Sequence, residues 1–174
     1  MSWTRTSDFI YRLREGRLEQ QKVGDEYWLE RCDNVSTSCI SKGNFTVLNK
    51  DGTIINHSEK SVTDIPVPVL PLVRVKSHPD GLLWGQTDSG KLLVYREHVN
   101  GRYWQNISLP RKDSVISTFT FGPCNTVWII NMKKEIWFMK NVSSEKPKGS
   151  ETWYQVSFLL TCDHLKSNLP YLVT

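Results

Sequence analysis

A chain of 174 residues has the length of about one domain, and 39% hydrophobic with 23% charged residues is the balance of an ordinary globular protein. The net charge of +4 comes from residues scattered along the chain, which argues against a nucleic-acid partner. No stretch approaches the roughly 20 apolar residues that cross a bilayer, and no signal-peptide core follows Met1. We therefore predict a cytoplasmic protein without a transmembrane segment, in which the seven Trp need explaining.

The first candidate repeat covers residues 1–32. Trp3 and Trp28 lie 25 positions apart, with the apolar stretch Phe9–Leu13 between them. The same spacing separates the Trp pair at 128 and 153 near the end of the chain. Alternating apolar residues favour strands here over a helix, and Gly16 interrupts any helical pattern. The segment predicts a four-stranded blade that lacks its opening strand.

A second, weaker repeat covers residues 33–70. The turn Asn49–Gly52 separates two apolar stretches, Phe45–Leu48 and Thr53–Ile55, and Thr46 stands where other copies have their first Trp. The fourth strand is expected near Ile65–Leu70. Three prolines in and beside that stretch lack the amide donors of a sheet, so they confine it to an edge or a loop.

The third repeat, at residues 71–110, has the clearest turn sequences. Pro-Asp-Gly, Asp-Ser-Gly and Val-Asn-Gly separate four short apolar strands, and Gly and Asn tolerate the positive φ of tight turns. Trp84 lies in the second strand and Trp104 in the fourth. This pattern predicts one antiparallel four-stranded sheet.

The fourth repeat, at residues 111–160, carries the same marks in the same order. The matched pairs are Pro79 with Pro123, Trp84 with Trp128, Leu92 with Ile136, and Arg96 with Lys140, each 44 positions apart. Residues 161–174 come next as a tail or as a strand that closes a ring against the first repeat. Four-stranded repeats with a period of about 40–45 residues predict an all-β propeller, and four copies make it a partial or small ring.

The last repeat also resembles a known family. Gly122-Pro123 before Trp128, the strand Glu135–Phe138 and the spacer Asn141–Trp153 are similar to the repeat of tectonin β-propeller repeat-containing proteins. The resemblance implies a non-enzymatic scaffold in autophagy and lysosomal or vesicle traffic. Its partners would be autophagy-conjugation proteins or membrane-tethering factors, with recruitment to autophagosome or lysosome membranes. Related propellers are lectins, so carbohydrate binding is the alternative.

Motifs for chemistry are weak. Gly85–Lys91 fits the phosphate-loop pattern G-x-x-x-x-G-K, but Leu92 replaces the magnesium-binding hydroxyl and no helix comes after it, which favours a hairpin. The four His and four Cys do not fall at metal-ligand spacing, and no nucleophile signature occurs. We therefore predict no catalytic residue, no metal and no cofactor.

Most of the Trp residues are expected to lie in the core between stacked blades. Trp104–Ile107 and Trp153–Val156 also match the aromatic-x-x-aliphatic form of segments that add a strand to a partner sheet, but their recurrence favours blade strands. Trp137 replaces an aliphatic residue of the preceding copy and is expected to point outward. It is therefore the one candidate binding residue, while partner docking is expected on the turns Val142–Thr152 and His98–Arg102.

Overall fold

The chain folds into antiparallel β-sheets, which confirms the predicted all-β fold class. The computed structural model describes residues 2–5, 8–41, 44–58, 61–98 and 101–157. Within them sixteen strands form four sheets of four strands, here named blades 1 to 4 in chain order. Consecutive strands are neighbours in each sheet. The predicted tail or ring-closing strand at 161–174 lies outside the described residues.

Blade 1 has its own opening strand, so the prediction that this strand is missing is wrong. Its strands are β1 (Ser2–Arg5), β2 (Phe9–Arg14), β3 (Arg17–Lys22) and β4 (Leu29–Cys32). The sequence pattern overlooks β3 because its residues are mostly polar. A two-residue turn at Glu15 and Gly16, with φ of 55° and 82°, joins β2 to β3. Counting β3 places Trp3 in the first strand, one strand earlier than the Trp spacing indicates.

Blades 2 to 4 repeat the same four-stranded meander. The strands of blade 2 are β5 (Val35–Ser41), β6 (Asn44–Asn49), β7 (Ile54–His57) and β8 (Val62–Ile65). Those of blade 3 are β9 (Leu72–Ser77), β10 (Leu83–Thr87), β11 (Leu92–His98) and β12 (Gly101–Asn106). Those of blade 4 are β13 (Ile116–Gly122), β14 (Thr126–Asn131), β15 (Ile136–Met139) and β16 (Trp153–Val156). The last strand of blade 2 lies at Val62–Ile65 and not near Ile65–Leu70 as the sequence predicts, because Pro66 and Pro68 lack the amide donors of a sheet.

The register of the second and third strands is the same in three blades. Thr46 lies opposite Asn56, Trp84 opposite Val94 and Trp128 opposite Phe138. Thr46, Trp84 and Trp128 therefore occupy one repeat position, as the sequence predicts. Because side chains alternate between the two faces of a strand, all three lie on the face of their blade that points away from the preceding blade.

The phosphate-loop pattern at residues 85–91 is a hairpin between β10 and β11. Gly90 sits at its turn with φ of 74° and packs against the backbone that enters blade 4. A Cβ atom on Gly90 would lie 2.7 Å from the amide nitrogen of Ile116. Glycine is therefore required both by the positive φ and by the close approach of the next blade.

The core lies between blades rather than inside one sheet. One cluster joins blades 1 and 2, a second joins blades 2 and 3, and the third and largest joins blades 3 and 4. Trp84 is fully buried in the third cluster, where its ring centroid lies 6.3 Å from that of Phe119 and 5.7 Å from that of Phe121. Burial of such aromatic side chains removes apolar surface from water and holds neighbouring blades together.

In blades 3 and 4, a Trp of the fourth strand binds the connector that precedes the blade. Trp104 Nε1 donates to the backbone oxygen of Pro66 at 2.6 Å, and Trp153 Nε1 donates to that of Ser108 at 2.7 Å. Both segments with the aromatic-x-x-aliphatic form are thus blade strands with a recurring role. In the part of the chain that the structure describes, no helix is long and apolar enough to cross a membrane.

Candidate functional site

Loops of three blades meet around a cleft of about 360 Å³ at one edge of the sheets. Turns after the first and third strands of each meander lie at this edge, whereas the turns after second strands and the connectors between blades lie at the opposite one. We name this space the interblade cleft. Its walls include Asn56 of blade 2, Asp80, Tyr95 and Arg96 of blade 3, and Ser144 of blade 4.

Asp80 joins the turn of blade 3 to the long spacer of blade 4. Its carboxylate accepts hydrogen bonds from His78 Nδ1 at 2.7 Å, the Leu82 amide at 3.1 Å and the Ser144 amide at 2.6 Å. Burial opposes ionisation, but these donors outweigh it, so the pKa of Asp80 lies below its ordinary value. An ionised Asp80 therefore fixes one wall of the cleft to the next.

The spacer between β15 and β16 is tied down by its own backbone. The Val142 amide donates to the Asn125 carbonyl at 2.9 Å, and the Ser150 amide donates to that of Lys140 at 2.8 Å. Gly149 has φ of 60°, and a Cβ atom there would lie 2.6 Å from the Lys140 oxygen. With Val142 fully buried, the spacer is a folded wall that displays Ser144 toward the cleft.

Blade 3 supplies charged and aromatic groups from the end of β11. The Tyr95 ring packs 5.4 Å from that of Trp104, and burial, together with the charge of Glu97, raises the pKa of Tyr95 above its ordinary value. Glu97 accepts an exposed salt bridge from Arg102 at 2.6 Å. Arg96 also lines the cleft. Opposite charges thus lie along this wall, beside the turn that the sequence predicts as a docking loop.

Blade 2 contributes hydroxyl and amide groups. Thr46 Oγ1 donates to Asn56 Oδ1 at 3.2 Å, and Ser41 Oγ donates to the His78 carbonyl of the next blade at 2.9 Å. Cys39 lies behind this wall, 3.0 Å from Ser77 Oγ. Burial raises the pKa of the Cys39 thiol to about 11, so the thiol stays protonated at neutral pH and is a poor nucleophile.

The chemistry of the interblade cleft is that of polar recognition. Amide, hydroxyl, carboxylate and guanidinium groups line it, and a volume of this size is at the low end of the roughly 300–1,000 Å³ of ligand sites. Among the described residues no three His, Cys, Asp or Glu side chains gather in a way that could hold a metal ion. The arrangement offers hydrogen bonds and ion pairs to a polar ligand.

Trp137, the residue that the sequence nominates for binding, lies away from this cleft. It packs against the core cluster between blades 3 and 4, with Arg111 over its ring at 5.6 Å. Its Nε1 is buried and has no acceptor among the described residues. The expectation that Trp137 points outward is wrong, because Ile136 and Phe138 take the outer face of the strand. A ligand-binding role for Trp137 stays a prediction.

The residues that line the cleft escape sequence reasoning because their signals are local and ordinary. Asp80 belongs to a Pro-Asp-Gly sequence that is typical of a turn, and its spacer partner Ser144 is 64 positions away. The one usable signal is the long Asn141–Trp153 spacer. Its length beyond a tight hairpin indicates a loop able to reach the neighbouring blade.

Comparisons with known proteins agree with this architecture. The Tectonin domain family model matches residues 37–162. Human tectonin β-propeller repeat-containing protein 2 is 23% identical in a match that covers 77% of this chain and 10% of that protein. The chain thus spans about a tenth of the length of this curated relative.

Solved β-propellers share the fold. Kluyveromyces lactis Hsv2p matches with a TM-score of 0.63 and 12% identity over 85% of this chain and 51% of that one. YCF48, whose structure was solved with a bound D1 peptide, matches with a TM-score of 0.61 and 13% identity, over 87% of this chain and 50% of that one. The computationally designed Ika8 protein matches with a TM-score of 0.56 and 12% identity, over 86% of this chain and 48% of that one. The four blades therefore correspond to about half of each of these structures.

Proposed function

Because the chain belongs to the tectonin domain family, we propose that it is a non-enzymatic protein-interaction scaffold whose partner binds in the interblade cleft. The observation that carries the proposal is the meeting of loops from three blades around one polar space. Propellers display binding groups on such loops, while the sheets hold the loops in place. Tectonin domains and propellers of this kind are generally non-enzymatic, which favours binding over catalysis.

The partner that fits best is a polar, charged protein segment. Arg96 attracts an acidic side chain, Glu97 attracts a basic one, and Asn56 offers hydrogen bonds to a peptide backbone. The resemblance to tectonin-repeat proteins adds the cellular setting. We place the scaffold in the cytoplasm, in autophagy or vesicle traffic, with recruitment to autophagosome or lysosome membranes by its partners.

Affinity capture with matched charge reversals tests this proposal. Arg96→Glu reverses a charge in the cleft, and Lys112→Glu makes the same reversal in an exposed connector at the opposite edge. Wild type and Lys112→Glu are expected to recover autophagy or tethering factors, which Arg96→Glu loses. Recovery that is equal for all three chains, or a consistent absence of such factors, contradicts the proposal.

Carbohydrate is the second candidate ligand. The side chains of Asn56 and Arg96, beside the Tyr95 ring, are groups that also bind sugar hydroxyls. A glycan array with the full chain separates the two functions. A glycan that binds wild type but not Arg96→Glu, and that raises the unfolding temperature, supports the lectin; a blank array leaves the protein scaffold as the function.

A further inference from the structure

The outer face of blade 4 carries a ladder of aromatic rings across three strands. Trp128 of β14 stacks on Phe138 of β15 at 4.9 Å and 24°, and Phe138 stacks on Tyr154 of β16 at 5.3 Å and 26°. Ile130 and Ile136 extend this face around an apolar hollow of about 320 Å³. Tyr154 is 44% exposed. Lys140 of the same blade lies over the rings of Phe138 and Tyr154, and no other described blade packs on this aromatic ladder.

The aromatic ladder resembles the face of blade 3 that packs against blade 4. Trp128 occupies the repeat position of Trp84, since each lies on a second strand opposite the residue ten positions later. Trp84 is fully buried because blade 4 packs Phe119 and Phe121 against it. By the same geometry, the position of Trp128 is suited to an incoming blade.

Blade 1 presents a matching face at the other end of the chain. Tyr11 points toward blade 2, where its ring lies 5.9 Å from Phe45, so its neighbour Arg12 points away from blade 2. The Arg12 guanidinium lies 4.0 Å over the ring of Trp28, directly before β4, and binds Glu19. In blades 3 and 4 the fourth-strand Trp faces the preceding blade, and Trp28 lies on the corresponding side of blade 1.

We propose that a second copy of this chain packs its blade 1 on the aromatic ladder of blade 4, and that the reciprocal contact closes a two-fold ring. Four blades from each copy make eight in all, within the roughly 4–8 blades of known propellers. Head-to-tail contacts of this kind form closed rings when the rotation completes a circle.

The chemistry of the two faces is complementary. Blade 4 offers the π-faces of its aromatic ladder, with Lys140 near the rings of Phe138 and Tyr154 at 5.8 and 5.3 Å. Blade 1 offers a guanidinium at Arg12 and a carboxylate at Glu19. Arg12 suits the aromatic rings, and Glu19 suits Lys140. Both contacts are absent if blade 4 meets another blade 4.

Light scattering on the full chain tests the ring. Wild type is expected to be a dimer, with twice the 20.2 kDa mass of one chain. Tyr154→Glu is expected to be a monomer, because the substitution puts a carboxylate into the apolar junction. Tyr103→Glu is the matched control, since Tyr103 is 45% exposed on the edge strand of blade 3. Circular dichroism confirms that each variant is folded. A wild-type chain of single mass at all concentrations, or a dimer that Tyr154→Glu leaves intact, overturns the proposal.

Mixing two variants tests the head-to-tail arrangement. Arg12→Glu alters blade 1 and Tyr154→Glu alters blade 4. Each variant alone is therefore expected to be monomeric. A mixture retains one intact junction, between the unaltered blade 4 of one chain and the unaltered blade 1 of the other. Mixed dimers are therefore expected by native mass spectrometry. If Arg12→Glu alone still forms dimers, while no dimer contains the Tyr154→Glu chain, the two copies contact each other through their blade 4 faces and the ring is refuted.

Discussion

Trp84 and Trp128 hold the same place in successive blades but meet different surroundings. Trp84 is fully buried between blades 3 and 4, whereas Trp128 is only partly buried in a stack with Phe138 on the outer face of blade 4. The residues are alike and the strands that carry them are alike. Blade 3 has a blade packed on this face and blade 4 has none among the described residues. The repeat therefore supplies the face, and the neighbouring blade supplies the burial.

The closed junction has polar contacts in addition to its apolar core. Asp80 binds the Ser144 amide, and Trp153 binds the Ser108 carbonyl, so blades 3 and 4 are joined at both the loops and the outer strand. Blade 1 and blade 4 each carry one half of such a junction. Substitutions in the junction between blades 3 and 4 should therefore cost more stability than substitutions on the outer faces of blades 1 and 4.

The largest expected effect is the loss of Trp84. Trp84→Ala leaves a cavity in the largest core cluster and is expected to lower the free energy of unfolding by about 3–5 kcal/mol. At low protein concentration, Trp128→Ala is expected to lower it by only about 1–2 kcal/mol, because its ring is partly exposed. Urea denaturation of both variants measures the difference. Equal losses would contradict the contrast between the closed and the open face.

Asp80 comes next. Asp80→Asn removes a charged acceptor of three hydrogen bonds and is expected to cost about 1–2 kcal/mol at neutral pH. The folded-state pKa of Asp80 is depressed, so its contribution is complete above the unfolded pKa of about 3.9 and is lost as pH falls through the folded value. Unfolding of wild type and Asp80→Asn should therefore converge in acid. A gap that stays constant with pH would contradict this.

A smaller effect is expected for the indole hydrogen bonds. Trp104→Phe and Trp153→Phe each keep an aromatic ring but remove a donor to a connector carbonyl, at a cost of about 1 kcal/mol. Trp128→Phe is the control, because its Nε1 donates only within blade 4, to Thr126 at 3.0 Å. Thermal unfolding of the three variants ranks them. A larger loss for Trp128→Phe would count against the role of connectors in joining blades.

The smallest expected effect concerns the ion pair of blade 1. At low protein concentration, where the chain is monomeric, Glu19→Gln removes the charge that Arg12 contacts on a partly exposed face, where such pairs contribute about 0.2–1 kcal/mol. The effect should shrink further in high salt because ions screen exposed charges. Denaturation at two ionic strengths measures it. A large, salt-independent loss would mean that this face is more enclosed than blade 1 alone makes it.

Sequence alone predicts the repeat well and its surroundings poorly. Trp84 and Trp128 can be aligned because turn residues and apolar positions recur at one spacing. Strand β3 escapes detection because polar side chains obscure its alternation, although Leu18 within it is buried. The link between Asp80 and Ser144 joins distant segments, and no local pattern encodes such a contact. The predicted orientation of Trp137 is wrong for a related reason, since a face is decided by strand register rather than by residue type.

Hydroxyl-radical footprinting at low and high protein concentration measures directly whether a second copy covers the outer face of blade 4. We expect the labelling of Trp128 and Tyr154 to fall as concentration rises, while the labelling of Tyr103 is unchanged and Trp84 stays protected throughout. Protection confined to the aromatic ladder would mean that a blade covers it. Labelling of Trp128 and Tyr154 that is independent of concentration would contradict the view that the outer face of blade 4 is a junction between copies of this chain.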